Sequence, residues 1–512
     1  MTGKKQTTLN LTTSLMAFVI NAGINFLLTP YLIEKLGTES YGFIGLANDI
    51  VNYANILSMA LNAMSSRFVS VEYHKGNKEK AEVYINSVII ANLLLAGAVA
   101  FASIFVVWKL EYLINIPENL MFDVKVTFAL VFVNYLISII IAILNCAPFI
   151  KNRMNLVYTR NMISYIIKLI VTILLITLFD IKVYFISLTT LICTIYLAVA
   201  NSIIFNKLLP EMVLSYKKFS WKAVKEILSS GIWMSLLTLS NMLLSGLNSL
   251  LTNRFVSVIA TGYLSVAKSI PNYISSLGTQ LGTVFAPKFT EKYAKGDIKG
   301  LISDAKKSIS IMSFIIAVPV AGFIAFGRNF YTLWVHNYTS AEIDKIQIVS
   351  IIVTLPTLFN ALVYPLIQIN TACNRVRVPV LVTFAIGIAN VLVVFPLGFM
   401  GKLNLELLTI STSLLMSARY VIFQPIYAAH ILRIKKGTFY MPIIKNTLVF
   451  VLLLLVFVIF KSLFVAKSWF SFIIIIGCAA LIGYGISFFT IFNRSERAEV
   501  LSTFKLKAKL KK

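Results

Sequence analysis

Four charged residues stand more than one turn inside long apolar runs of the chain: Asp49, Lys168, Lys268 and Arg419. A charge near the centre of a bilayer costs about 2.5–3.5 kcal/mol on insertion scales, so each such residue calls for a partner, a watery route or a ligand. Arg419 follows fourteen residues of its run, Leu405 onward, and is too deep for easy snorkelling. Lys168 and Lys268 lie about two turns from the end of theirs and can partly snorkel. Three bases against one acid fit an anionic ligand held by charge-assisted hydrogen bonds. Asp49 reads either as a counter-ion for one of the bases or as a residue that couples a proton or cation. Arg67, at the end of the run that holds Asp49, is placed to meet an anion at an entrance.

Uncharged polar residues add four stripes at helical spacing. Asn48, Asn52, Asn55 and Asn62 recur at 4, 3 and 7, and Lys268, Asn272, Ser275, Thr279 and Thr283 at 4, 3, 4 and 4. Asn21, Asn25 and Thr29 form a third stripe, and Thr238, Asn241, Ser245, Asn248 and Thr252 a fourth. A single such residue is as well explained by bonding between packed membrane helices. Four striped helices together are better explained by a water-filled cleft, because polar groups facing lipid are costly. By contrast Val449–Phe460 carries no polar residue and reads as peripheral.

Catalytic signatures are missing. The chain has no G-x-x-x-x-G-K-[ST], H-E-x-x-H or G-x-S-x-G and no paired-cysteine zinc spacing. Neither a catalytic residue, a metal site nor a cofactor is expected. Cys146, Cys193, Cys373 and Cys478 read as small hydrophobes and His430 as structural. The loop from Gly327 to Lys345 is the longest on its side, shorter than membrane glycosyltransferases and polymerases generally need.

The elements that must position these residues are membrane helices. Of 512 residues, 58% are hydrophobic and 13% charged, far from the balance of a soluble domain. Apolar windows give fourteen spans near 11–33, 41–65, 83–107, 124–147, 161–179, 183–205, 231–253, 262–286, 308–327, 346–370, 378–398, 405–429, 446–464 and 469–492. Lys and Arg favour the loops on the side of the two termini by about three to one, which puts both termini in the cytoplasm. The net charge of +26 fits anionic membrane lipid rather than nucleic acid in so apolar a chain.

An internal duplication organises the spans. At an offset of 220, Ala47-x-x-Ile50-x-Asn52-Tyr53 matches Ala267-x-x-Ile270-x-Asn272-Tyr273, Tyr73–Asn77 (YHKGN) matches Tyr293–Asp297 (YAKGD), and Asn21 matches Asn241. Asn152-Arg153 matches Asn374-Arg375 at an offset of 222. Six spans separate the copies, so the repeats are parallel. The expected fold is an all-α polytopic membrane protein of about fourteen helices: an N-lobe over 1–206, a C-lobe over 231–432 and two further helices over 433–493. Residues 207–230 read as a linker, in which Phe219, Trp221, Val224, Ile227 and Leu228 among Lys217, Lys218, Lys222 and Lys225 form an amphipathic interfacial helix. Residues 494–512 form a basic tail ending in Lys505–Lys512.

The opening stretch NLTTSLMAFVINAGINFLLTPYLIEKLGTESYGFIGLAND, with Pro30, Leu32, Leu36, Gly37, Tyr41 and Gly42 in a P-x-L-x-x-x-L-G-x-x-x-Y-G pattern, resembles bacterial polysaccharide flippases. These form the polysaccharide-transporter branch of the multidrug/oligosaccharidyl-lipid/polysaccharide exporter superfamily, and the likeness covers nearly the whole chain. The resemblance implies a cavity lined by the first, second, seventh and eighth helices. It implies export of an undecaprenyl-diphosphate-linked oligosaccharide across the bacterial cytoplasmic membrane by alternating access, with a downstream polymerase as a partner and a monomer sufficient. It also implies a basic cavity for the pyrophosphate. Arg419, Lys268, Lys168 and Arg67 are the available bases, Asn21, Asn25, Asn48, Asn52, Asn241, Asn248 and Asn272 the polar lining, and Asp49 the ion-coupling residue. The alternatives are a cation-coupled drug or metabolite antiporter of the same superfamily and, from another class, a membrane glycosyltransferase or polymerase.

Overall fold

A computed structural model describes residues 3–464, 466, 468–494, 496 and 497. These form an all-helical, multi-pass architecture of fourteen long helices. In chain order they are α1 Gly3–Leu36, α2 Thr38–His74, α3 Lys78–Trp108, α4 Glu118–Ile150, α5 Met154–Leu178, α6 Phe185–Leu208 and α7 Trp221–Phe255. They continue as α8 Val258–Thr283, α9 Ile298–Trp334, α10 Ser340–Ala372, α11 Arg377–Phe399, α12 Leu405–Ile431, α13 Tyr440–Leu463 and α14 Trp469–Ile491. Twelve are long and apolar enough to cross a membrane. The two that fall short are α2 and α8, the repeat-matched pair with the polar stripes. Their deficit is the same Asn, Ser, Thr and Lys content that marked them in the sequence. The basic tail Lys505–Lys512 lies outside the described residues.

The helices group into two compact units. The first holds residues 1–265 with 380–404, and so includes α7, the first turns of α8 and most of α11. Within it α2 packs along α3, α4 and α7, α1 along α5, and α6 against α4 and α5. Close approach is set by glycine at two crossings. A Cβ on Gly231 of α7 would stand 1.8 Å from the Ala60 carbonyl oxygen of α2, and one on Gly42 would stand 2.8 Å from the Gly262 backbone nitrogen. Gly42 and Gly262 are themselves repeat mates at the offset of 220. The second unit holds residues 266–379 with 405–512. Its core is built on α9, whose Ile316, Ala317, Val320 and Ala321 meet Leu362 and Leu366 of α10 and Leu453 and Phe457 of α13. Val449, Phe450, Leu453 and Phe457 give the apolar α13 one buried face.

The matched loops share their backbone geometry. Gly76 and Gly296 adopt φ of +82° and +71°, in the left-handed region that favours glycine after a helix. In both loops the next amide returns five residues, Asn77 to the Glu72 carbonyl at 3.0 Å and Asp297 to the Lys292 carbonyl at 3.0 Å. Asn77 and Asp297 then cap the following helix, accepting from the amides of Lys80 and Gly300. The second matched pair behaves alike: Asn152 and Asn374 stand at φ of +51° and +53°.

The segment Glu211–Ser230 does not form a helix separate from α7. Residues Tyr216–Lys218 form a single 3₁₀ turn, and Trp221–Ser230 are the first ten residues of α7. The segment is tied to α3 by polar bonds: the Val213 amide donates to Glu82 at 2.8 Å, the Ser215 amide to Asn86 at 2.7 Å, and Lys218 bonds Glu82. On this segment Ala223, Val224 and Ile227 are buried, whereas Trp221 is exposed.

Candidate functional site

In the first unit the α2 stripe divides between two roles. Asn48 and Asn52 are exposed, with the Asn48 amide turned back on the Ile44 carbonyl at 2.8 Å and Asn52 accepting from Asn55 at 2.9 Å. One end of the stripe is instead bonded into the helix bundle. Asn62 and Asn92 of α3 exchange bonds at 3.3 and 3.0 Å, and the Tyr135 hydroxyl of α4 donates to Ser58 at 3.2 Å. The helix-packing reading of such stripes therefore describes the end at Asn62, while Asn48 and Asn52 stand exposed. On α1, Asn25 donates to the Asn21 carbonyl and side-chain oxygens, each at 2.8 Å, and both residues are half-buried.

The α7 stripe is interrupted by a π turn over Met242–Gly246. One extra residue in a turn rotates everything after it by about 100° relative to an α-helix. Asn241 is exposed, but Asn248 and Thr252 are buried at 3% and 0% exposure. The spacing 3, 4, 3, 4 thus describes one face only up to Ser245. Neighbours occupy the carbonyls that a π turn frees. The Tyr53 hydroxyl of α2 donates to the Gly246 carbonyl at 2.8 Å, and buried Asn390 of α11 donates to Leu243 and Leu244 at 3.2 and 3.0 Å. Beside this turn the Ser249 hydroxyl donates to Asp49 at 2.5 Å. Tyr53, Ser249 and Asn390 were not singled out by spacing, because their role depends on where the π turn falls.

Lys168 is half-buried on α5, and Arg67 is exposed on α2. Arg160, one residue outside the span read from the sequence, is in fact buried at 5% exposure, two turns before Lys168. The spacing Arg160, Ser164, Lys168, Thr172 could have revealed that face.

In the second unit Arg419 is half-buried at the start of another π turn, Arg419–Phe423. Its guanidinium lies 5.2 Å from the centre of the Tyr420 ring. Among the described residues no carboxylate stands within ion-pairing distance of Arg419 or Lys168. Lys268 is half-buried and Asn272 exposed on α8. Cys146, Cys193 and Cys373 are buried and Cys478 exposed, all as free thiols. Among the described residues no group of three or more His, Cys, Asp or Glu could hold a metal ion.

A model of the family described as "Polysaccharide biosynthesis protein" matches residues 8–292, more than half of the chain. The chain belongs to this family. It is 26% identical over 501 residues to the uncharacterized membrane protein EpsK of Bacillus subtilis (strain 168), covering 97% of this chain and 98% of that one. Among solved structures the chain is similar to the lipid II flippase MurJ in an inward closed conformation, at a TM-score of 0.66 and 15% identity over 94% of this chain and 98% of that one. It is also similar to an inward-facing multidrug resistance transporter of the MATE family, of the MOP superfamily, at a TM-score of 0.68 and 13% identity over 83% of this chain and 99% of that one. This family member accordingly shares the fold of these two proteins.

Proposed function

We propose that this family member is a flippase that moves undecaprenyl-diphosphate-linked oligosaccharide repeat units across the bacterial cytoplasmic membrane by alternating access, with both termini in the cytoplasm. The product feeds assembly of a surface polysaccharide such as a capsule, an O-antigen, an exopolysaccharide or a teichoic-type polymer. The observation that carries this reading is that Arg419 and Lys168 sit in spanning helices with no carboxylate at ion-pairing distance among the described residues. A buried cation without a protein counter-ion fits a passing anion, and a pyrophosphate supplies it. Lys268 and Arg67 are further bases for the pyrophosphate, and Asn21, Asn25, Asn48, Asn52, Asn241 and Asn272 offer donors and acceptors to sugar hydroxyls. Asn248 is buried at 3% exposure in this structure and is the least accessible of the Asn residues proposed for the sugar.

Without an ATP site the cycle draws on the membrane potential, worth about 2.3 kcal/mol per elementary charge per 100 mV, which favours outward movement of an anion. Asp49 adds proton or sodium coupling. The competing reading, a cation-coupled antiporter, has the MATE-like fold in its favour but requires acids in the spanning segments, where Asp49 is the main candidate.

Deleting the gene in a strain with no second flippase should trap lipid-linked repeat units in the inner leaflet and abolish the surface polymer; unchanged polymer would sink the proposal. Arg419→Ala should lower export to background while the protein stays in the membrane, and Arg419→Lys should recover part, since lysine lacks the bidentate fork. In reconstituted vesicles, collapse of the potential should slow flipping, and Asp49→Asn should alter its pH or sodium dependence.

A further inference from the structure

Helices α5 and α6 pack along one another in the first unit, and their facing sides are polar where a membrane protein can least support it. Arg160, Ser164 and Thr172 recur every fourth or eighth residue on the buried side of α5, with half-buried Lys168 between them. Facing them, α6 buries Thr189, Cys193 and Asn201. The side chains of Met154–Leu178 and Phe185–Leu208 include Arg160, Lys168 and Lys207 and not one Asp or Glu.

Arg160 is the sharpest point of this imbalance. Its Nε donates to the Leu156 carbonyl at 2.9 Å and its Nη1 to the Asn201 side-chain oxygen, whereas its Nη2 is buried without a partner. No carboxylate lies within ion-pairing distance of it among the described residues. A guanidinium at 5% exposure with only neutral acceptors keeps its full charge and loses its water, which is unfavourable unless an anion completes its surroundings. Arginine side chains lean toward the start of their helix, and the bond to Leu156 shows this one doing so. The head group therefore lies within about one turn of the beginning of α5, roughly 3 Å of helix rise from Met154, a depth that a phosphate at the membrane surface reaches.

We propose that Arg160 and Asn201 form a binding site for a phosphate-type oxyanion between α5 and α6, two turns from Lys168 and independent of the flippase reading. The free Nη2 supplies the donors, and planar guanidinium matches an oxyanion in two-point fashion. The phosphate comes either from an anionic lipid headgroup or from solution.

The full-length protein in dodecylmaltoside micelles, which carry no phosphate, separates these sources. Melting temperature is followed with added sodium phosphate against sodium gluconate, and in gluconate the plain micelles are compared with micelles containing phosphatidylglycerol. A rise with inorganic phosphate assigns a soluble anion, and a rise only with phosphatidylglycerol assigns a lipid phosphate; either supports the site provided Arg160→Gln abolishes it and Arg160→Lys keeps a smaller rise. Asn201→Asp is the decisive variant, because it places a carboxylate beside the guanidinium at nearly unchanged volume. It should melt higher than wild type in plain micelles and gluconate, and its response to either phosphate should vanish. The site is overturned if wild type responds to neither phosphate, or if Asn201→Asp responds as wild type does. If Arg160→Gln fails to reach the membrane, the Asn201→Asp arm alone decides.

Discussion

The loops Tyr73–Asn77 and Tyr293–Asp297 and the helices α1 and α7 are paired by the same internal repeat, yet the loops agree in detail and the helices do not. Each loop ends a helix on a left-handed glycine and starts the next with an Asn or Asp cap. Helix α1 runs unbroken as α-helix from Gly3 to Leu36, whereas α7 carries a π turn over Met242–Gly246 that turns Asn248 and Thr252 into the protein. The difference teaches where a repeat can drift. A glycine-closed turn is held by short-range hydrogen bonds that its own residues supply. A transmembrane helix gains or loses a residue when neighbours can satisfy the displaced carbonyls, and Tyr53 and Asn390 do so here.

The strongest way to break this contrast is to make α7 like α1. Deleting Ser245 should return the segment to α-helical register, rotate the residues before and after it by about 100° relative to each other, and strip Tyr53 and Asn390 of their acceptors. The expected loss exceeds about 4 kcal/mol, beyond ordinary substitutions, and should show as a collapse of melting temperature in detergent. A deletion variant as stable as wild type would mean that the π turn is incidental.

The likeness of the loops is tested by Gly76→Ala and Gly296→Ala. Each forces an L side chain into left-handed backbone at a cost of about 1–2 kcal/mol, and the two losses should match if the turns are equivalent. Asparagine at either position should cost less, as Asn152 and Asn374 already occupy that region. Unequal losses on melting the purified variants would break the comparison.

Asn390→Leu leaves the Leu243 and Leu244 carbonyls without that donor and should cost about 0.6–1.7 kcal/mol, the range of interhelical hydrogen bonds within membranes. Hydrogen exchange should rise around the π turn and leave α1 unchanged.

The smallest effect separates the loops themselves. The Tyr73 hydroxyl donates to Glu211 at 2.7 Å, and Lys151 donates to Tyr73 at 2.5 Å. This hydrogen bond, with the bases Lys151 and Lys78 nearby, holds the Glu211 carboxyl below its ordinary value of 4.5. A depressed carboxylate stabilises the fold above that ordinary value, and the contribution disappears as pH falls through the lower folded value. Exchange at Tyr73–Asn77 should therefore rise slightly below about pH 4.5, and Glu211→Gln should remove the pH dependence.

Much of the architecture could be read from residue types alone, since spanning length, charge and left-handed turns are local demands. Apolar runs needed only enough length to cross a bilayer, and the repeats YHKGN and YAKGD carried their own turn chemistry. The polar stripes on α2 and α8 were equally visible, and the same content keeps those two helices from meeting the apolar criterion. Only packing decided which polar residues are available. Asn48 and Asn52 are exposed while Asn62 is spent on Asn92, because α3 lies against one end of the stripe. The π turn hid Asn248, and a window boundary at residue 161 placed Arg160 outside a span although it is buried against α6. Residue type and spacing set which groups must leave lipid; the neighbouring helix sets what each of them meets, since a hydrogen bond needs a partner that the helix's own sequence does not contain.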